Sequence, residues 1–106
     1  MADRIEAIRR MIAEQGEETF LVYSLGMELA SAGATDEAVA AFRRCQELDE
    51  GYLPAYTEAG KALRSAGRLD EAREMFAGGM ELAAAQGESH MRDFLQQQLD
   101  SLAKAK

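Results

Sequence analysis

The chain has 106 residues, enough for one domain, and its balance of 47% apolar and 29% charged residues is typical of a folded globular protein. The formal net charge of −7 argues against nucleic acid and anionic membranes as partners, because an acidic surface repels phosphate groups. Cys45 is the single cysteine, so an internal disulfide is impossible and a reducing compartment is expected.

The distribution of apolar and charged residues also bears on where the protein is found. No run of about 18 apolar residues occurs, so the sequence predicts no membrane-spanning helix. Residues 1–15 lack the continuous apolar segment of a secretory signal, and Asp3, Glu6 and Glu14 argue against a transit peptide. The sequence therefore predicts a cytoplasmic protein.

Six segments carry apolar residues at helical spacing, which predicts six α-helices joined by short connections. In chain order, the predicted helices are residues 3–15, 19–32, 35–48, 53–66, 70–85 and 89–103. Gly16, Gly33 and Gly67 are placed to end the first, second and fourth helices. Pro54 lies in the first turn of the fourth helix, where proline is tolerated. Gly78–Gly79 lowers the helix propensity of the fifth helix, so we expect a neighbouring helix to pack closely there.

Two of these helix pairs are copies of one sequence unit. Residues 26–48 align with residues 60–82 at an offset of 34 positions, and eleven of the aligned pairs are identical. The identical pairs include Gly26 with Gly60, Ala38 with Ala72, and Phe42 with Phe76. A fixed period of this length predicts a repeat architecture, in which similar helix pairs stack one on the next.

The unit resembles the tetratricopeptide repeat, a helix–turn–helix of about 34 residues. The resemblance rests on a Leu-Gly pair, a turn glycine, a small residue, and an aromatic residue four positions after it. These are Leu25–Gly26, Gly33, Ala38 and Phe42 in the first copy, and Ala59–Gly60, Gly67, Ala72 and Phe76 in the second. The pattern departs from the family at the usual tryptophan, which is replaced by Val22 and Tyr56, and it lacks the closing proline.

The resemblance implies an all-α fold, in which antiparallel helix–turn–helix repeats stack as a short right-handed α-solenoid of about six helices. We expect a single domain, residues 1–106. Its predicted parts are an N-terminal helix or half-repeat (1–18), a first repeat (19–52), a second repeat (53–86) and a C-terminal capping helix (87–106). Whether the last helix caps the stack or lies in its groove stays open at this point.

No residue pattern indicates catalysis, a metal or a cofactor. Cys45 lies on an apolar helix face, so we expect a buried, inert thiol. His90 is the single histidine and has no second ligand or nucleophile beside it, so we expect an exposed residue at a helix end. The paired carboxylates have no calcium-loop spacing, and no phosphate-binding loop is present. The sequence thus predicts a protein without enzymatic activity, cofactor or metal.

In the family that the chain resembles, the first helix of each repeat lines a concave groove that binds peptides or partner helices. The resemblance places six residues of this chain in a partner-binding groove: Phe20, Tyr23, Met27, Thr57, Lys61 and Arg64. Lys61 and Arg64 lie three positions apart on one helical face, where they are expected to bind a carboxylate. In the alternative interpretation, these two residues only solvate the surface, and Phe20 and Tyr23 pack against the terminal helices.

The predicted function is that of an adaptor, which binds a protein or peptide segment in this groove as a monomer or weak homodimer. Chaperone tails are not the expected ligand, because Tyr23, Met27 and Glu58 stand where the family's carboxylate clamp has Lys, Asn and Asn. The alternative is a structural protein that self-associates as a homodimer through its apolar groove or an end face.

Overall fold

All six predicted helices are present in the computed structural model, which describes residues 2–104, with side chains from residue 4 onward. Their bounds are α1 Ala2–Gln15, α2 Thr19–Ser31, α3 Thr35–Leu48, α4 Leu53–Ser65, α5 Leu69–Gln86 and α6 Ser89–Lys104. The bounds agree with the prediction to within one residue. Met1, Ala105 and Lys106, which belong to the predicted domain, lie outside the described residues.

The helices stack in chain order, as expected for a repeat protein. Each helix packs against the helix before it and the helix after it, and α2 also touches α4. This arrangement places α2 and α4 side by side, with α3 behind them and α5 behind α4. The particle is elongated, measuring 42 × 29 × 18 Å. The predicted all-α repeat solenoid is confirmed, whereas the exact division into two repeats and flanking helices stays a prediction.

The glycine and phenylalanine that recur at the repeat period contact each other. Phe42 and Phe76 are completely buried. A Cβ atom added at Gly26 would lie 2.7 Å from Cε1 of Phe42, and one added at Gly60 would lie closer still to Cε1 of Phe76. The first helix of each pair therefore rests its backbone directly on the aromatic ring of the second helix. Glycine is required because any side chain at that position would overlap the ring.

The turns inside the two helix pairs are also equivalent. Gly33 and Gly67 adopt φ values of 79° and 77°, in the left-handed region. The next residue closes each turn, because Ala34 N–H donates to the Leu29 carbonyl at 2.9 Å and Arg68 N–H donates to the Leu63 carbonyl at 2.9 Å. This is the usual way in which glycine ends a helix, so the predicted helix stops at Gly33 and Gly67 are confirmed.

The glycine pair of α5 is packed as the sequence predicts. Added Cβ atoms would lie 3.3 Å from Cε1 of Tyr56 at Gly78 and 3.0 Å from Cβ of Tyr56 at Gly79. Leu95 of α6 also reaches Gly79, with Cδ1 at 3.2 Å from the added atom. Glycine in α5 thus makes room for the bulky Tyr56 of α4. The aligned positions one repeat earlier are Val22 for Tyr56, and Arg44 and Cys45 for the two glycines.

Candidate partner-binding groove

A surface groove of about 570 Å³ lies between the C-terminal halves of α2 and α4. Most of its lining residues have small side chains, which keep the space between the two helices open. The lining residues are Met27, Ala30, Ser31, Gly33, Thr35, Glu58, Lys61, Ala62, Ser65 and Ala66. Two of the six residues predicted for partner binding, Met27 and Lys61, therefore line the groove. The other four lie elsewhere.

Lys61 is exposed in the groove, and its ammonium group already has a partner. Nζ of Lys61 lies 3.3 Å from Oε2 of Glu58, one turn earlier on α4. Such an exposed pair contributes little to stability. The lysine can therefore exchange Glu58 for a carboxylate or carbonyl of a bound segment at small cost.

Arg64 does not line the groove beside Lys61, despite the helical spacing of three. The Cζ atom of its guanidinium lies 5.9 Å from the centroid of the Phe76 ring, within range of a cation–π contact. The side chain is half-buried and is not among the groove-lining residues. The two cations that the sequence predicts to act together are therefore engaged separately, Lys61 with a carboxylate and Arg64 with an aromatic ring.

Tyr23 lies in the N-terminal half of α2 and does not line the groove. Its ring centroid lies 5.8 Å from that of Phe42 and 5.4 Å from that of Tyr52, the second contact being edge-to-face. Burial raises the pKa of the Tyr23 phenol, and the nearby Glu58 carboxylate raises it further. Tyr23 therefore packs against the core and the α3–α4 connection. Neither of these two ring contacts involves a terminal helix.

Phe20 and Thr57 occupy opposite environments. Phe20, in the first turn of α2, is 67% exposed. Among the described residues, only one other large apolar side chain, Met11, is exposed, and its exposed fraction is smaller. Thr57 is only 5% exposed, and its hydroxyl lies 3.7 Å from Sδ of Met91 on α6. The last helix thus lies beside α4 and against α5, where it covers Thr57 and leaves the groove between α2 and α4 open.

Sequence reasoning placed Glu58 at a position of the family's carboxylate clamp without predicting it as a partner-binding residue, and it did not name Ala62 or Ala66. The pairing of Glu58 was detectable, because a glutamate three positions before a lysine on a helix commonly pairs with it. The two alanines carry no comparable signal, since a small residue on a helix suits a close contact as well as an open groove.

A second depression, of about 370 Å³, lies between α1 and α3 on the other side of α2. Its floor is apolar, with Val22, Leu25 and Leu29 of α2. Two ion pairs bridge it, Arg9 with Glu37 at 2.9 Å and Arg44 with Glu17 at 2.7 Å. Its bridging charges are thus already paired within the chain.

The residues considered for chemistry lie in ordinary surroundings. Cys45 is buried, its thiol lies 3.6 Å from the Thr19 carbonyl oxygen, and burial raises the thiol pKa to about 11. His90 is exposed in the first turn of α6. Within residues 4–104, no three His, Cys, Asp or Glu side chains are grouped closely enough to hold a metal ion. None of the described helices is long and apolar enough to span a membrane.

Comparison with known proteins gives matches over most of the chain. A family model described as tetratricopeptide repeat matches residues 29–97. A TPR repeat-containing protein of Pseudomonas aeruginosa is 32% identical over 84 residues, which cover 79% of this chain and 80% of that protein.

Solved structures match at lower identity but with the same arrangement of helices. A Bordetella parapertussis protein is 27% identical, with a TM-score of 0.82 over 95% of this chain and 88% of that one. A tetratricopeptide repeat domain protein of Salinibacter ruber is also 27% identical, with a TM-score of 0.77 over 85% of this chain and 91% of that one.

Proposed function

The chain belongs to the tetratricopeptide-repeat family, and we propose that it binds a peptide or partner helix in the groove between α2 and α4. The fold of this family is generally a protein–protein interaction module and a non-catalytic scaffold. The observation that carries the proposal is the groove of about 570 Å³, which small side chains keep open beside an exposed lysine.

The lining residues indicate how a segment would be held. Met27, Ala30 and Ala62 offer apolar surface to a side chain of the partner, and the thioether of Met27 adapts to different shapes. Lys61 supplies the charged contact, by turning from Glu58 to an oxygen of the partner. Three other predicted residues do not line the groove: Arg64 contacts Phe76, Tyr23 contacts Tyr52 and Thr57 contacts Met91. Their proposed role is to hold α2 and α4 in place, without touching the partner.

The test uses peptides selected from a random library against the full chain. In the Lys61→Glu variant, the selected peptides should bind roughly fivefold more weakly or worse, because a charged contact worth about 1 kcal/mol is lost and replaced by repulsion. Lys104→Glu, at the exposed end of α6, makes the same change of charge away from the groove and should leave binding unchanged. Equal affinities of the wild type and Lys61→Glu would place the binding site elsewhere.

We infer that this chain is non-catalytic, as its family generally is. Its only thiol, that of Cys45, is buried and has a raised pKa, so it is not a reactive nucleophile. A cytoplasmic location is proposed as well, because a free cysteine suits a reducing compartment.

The second candidate function is self-association as a homodimer, and the exposure of Phe20 is the observation that favours it.

A further inference from the structure

Three aligned positions on α3 and α5 form the face that each of these helices turns toward the first helix of its pair. The residues are Ala38, Phe42 and Cys45 in α3, and Ala72, Phe76 and Gly79 in α5. All six are buried. In both pairs the first helix rests a glycine on the phenylalanine ring, Gly26 on Phe42 and Gly60 on Phe76. The molecule thus covers this face twice, in the same way.

The first helix, α1, occupies the place of a second helix of a pair. An offset of 34 positions aligns it with α3, and one charged contact is found at the same offset. Arg9 of α1 pairs with Glu37 of α3 at 2.9 Å. One repeat later, pairing with Arg68 lowers the pKa of Glu71 on α5, and the nearby Arg43 of α3 lowers it further. The register of the repeats therefore extends to α1.

The aligned face of α1 lacks the cover that α3 and α5 have, since α1 packs mainly on α2 among the described helices. The residues at the three positions are Arg4, Ile8 and Met11, which we call the outer face of α1. Met11 is 39% exposed, Ile8 is half-buried and the Arg4 side chain is 72% exposed. The isoleucines that pack against the buried core are Ile5 and Ile12. The outer face is therefore an apolar helix face with room for a first helix.

A second copy of the chain does not offer a suitable helix. The helix at the other end of the stack is α6, and its exposed surface is mainly polar or charged, with Arg92, Asp93, Gln96, Gln97 and Asp100. The two helices that carry the contact glycines, α2 and α4, already cover α3 and α5. These observations favour a helix of a different protein as the occupant.

We propose that the outer face of α1 docks an amphipathic helix of a partner protein, in the place of a first repeat helix. The two internal pairs define the chemistry of this helix. It rests a small residue on Ile8, as Gly26 rests on Phe42. Because the short turns make paired helices antiparallel, one turn after the small residue faces Arg4, where a carboxylate fits, and one turn before it faces Met11, where an apolar side chain fits. This surface is separate from the groove between α2 and α4.

The experiment uses labelled helical peptides of about 15 residues, crosslinked on the far side because free helices of this length are marginal. The alanine peptide carries leucine, alanine and glutamate at intervals of one turn, and the phenylalanine peptide has phenylalanine in place of that alanine. The alanine peptide should bind the full chain and slow hydrogen exchange in α1. The phenylalanine peptide should bind roughly tenfold more weakly, because its ring would overlap Ile8. Equal binding of the two peptides would overturn the proposal.

Variants of the apolar residues locate the contact. Ile8→Gln and Met11→Gln keep a good helix former while removing apolar surface, and each should weaken the alanine peptide roughly fivefold. The matched control is Met27→Gln, which makes the same change in the groove between α2 and α4 and should leave binding unchanged. Equal losses in Met11→Gln and Met27→Gln would overturn the proposal. Circular dichroism verifies that each variant is folded.

A charge exchange tests the orientation of the docked helix. Arg4 pairs with Glu28 at 3.3 Å, and such an exposed pair is exchanged at small cost. Arg4→Glu should weaken the alanine peptide roughly threefold, and lysine in place of the peptide's glutamate should restore the affinity. The matched control Arg10→Glu changes an exposed cation of α1 outside the outer face and should have no effect. An equal loss in Arg10→Glu would overturn the proposed contact, because the attraction would then follow net charge alone.

Three outcomes separate this proposal from the function proposed for the groove. If library peptides depend on Lys61 while no helical peptide binds, the groove function stands and docking on α1 is wrong. If the alanine peptide binds Lys61→Glu as tightly as the wild type, docking on α1 stands whether or not the groove binds. A molar mass that doubles with concentration, and returns to that of the monomer in Ile8→Gln, would assign the outer face to a second copy and overturn the proposal.

Discussion

The close contact between Gly60 and Phe76 is the feature of single residues on which the fold depends most directly. The Phe76 ring is completely buried, and a Cβ atom at Gly60 would overlap it. In an exposed helix, Gly→Ala would stabilise the protein by about 1 kcal/mol. Here the overlap should prevail, because overpacking a core costs about 1–3 kcal/mol.

We therefore expect Gly60→Ala to lower the melting temperature by several degrees, since about 1 kcal/mol corresponds to roughly 4–8 °C in a domain of this size. Thermal unfolding followed by circular dichroism measures the change. The double variant Gly60→Ala/Phe76→Leu should be more stable than the sum of the two single changes predicts, because the smaller side chain removes the overlap. Strict additivity, or a stabilised Gly60→Ala, would contradict the proposed contact.

The same residue pair explains why so much of the core was predictable from the sequence. Gly60 and Phe76 recur with Gly26 and Phe42 at a fixed period, and a repeated pair marks a contact that the architecture requires. Lys61 and Arg64 carried no such information. Their spacing fixes the helical face, but Glu58 and the Phe76 ring decide where each side chain goes.

At the scale of helices, α1 is the least supported element. None of the described side chains of Arg4–Gln15 is fully buried. The helix packs mainly on α2, through half-buried isoleucines, with the exposed ion pairs Arg4–Glu28 and Arg9–Glu37 beside them. By contrast, α3 packs against both α2 and α4 and buries five side chains.

Local opening should therefore begin at α1. Native-state hydrogen exchange should show the amides of α1 exchanging faster than those of α3 and α5, because fewer apolar contacts are lost when α1 opens. The helix α6, which buries Leu95 and Leu102, should be intermediate. Protection of α1 equal to that of α3 would mean that the exposed ion pairs hold it more firmly than such pairs usually do.

The placement of α6 also shows what sequence periodicity cannot supply. The apolar spacing of α6 predicts the helix and its buried face, but not the neighbour that this face meets. The structure places Met91 against Thr57, which buries a residue predicted to face the partner. Because α6 has no repeat signature, its contacts with the second repeat could not be predicted from the repeat pattern.

For the whole molecule, charge and shape together bear on the oligomeric state. The particle is elongated, measuring 42 × 29 × 18 Å, and the exposed carboxylates of Glu17 and Glu18 lie directly before Phe20 in the sequence. A second copy that approached Phe20 would bring the same carboxylates with it, and the two edges would repel each other.

We therefore expect a monomer of 11.6 kDa at every concentration accessible to light scattering on a sizing column. Stable interfaces bury about 1,200–2,000 Å² in total, far more than one exposed phenylalanine supplies. The large apolar side chains that are exposed among the described residues, Met11 at 39% and Phe20 at 67%, lie on different helices. A mass that doubles with concentration, and returns to that of the monomer in Phe20→Ala, would favour the self-associating alternative. In that case the exposed Phe20 would lie in the interface between the two copies.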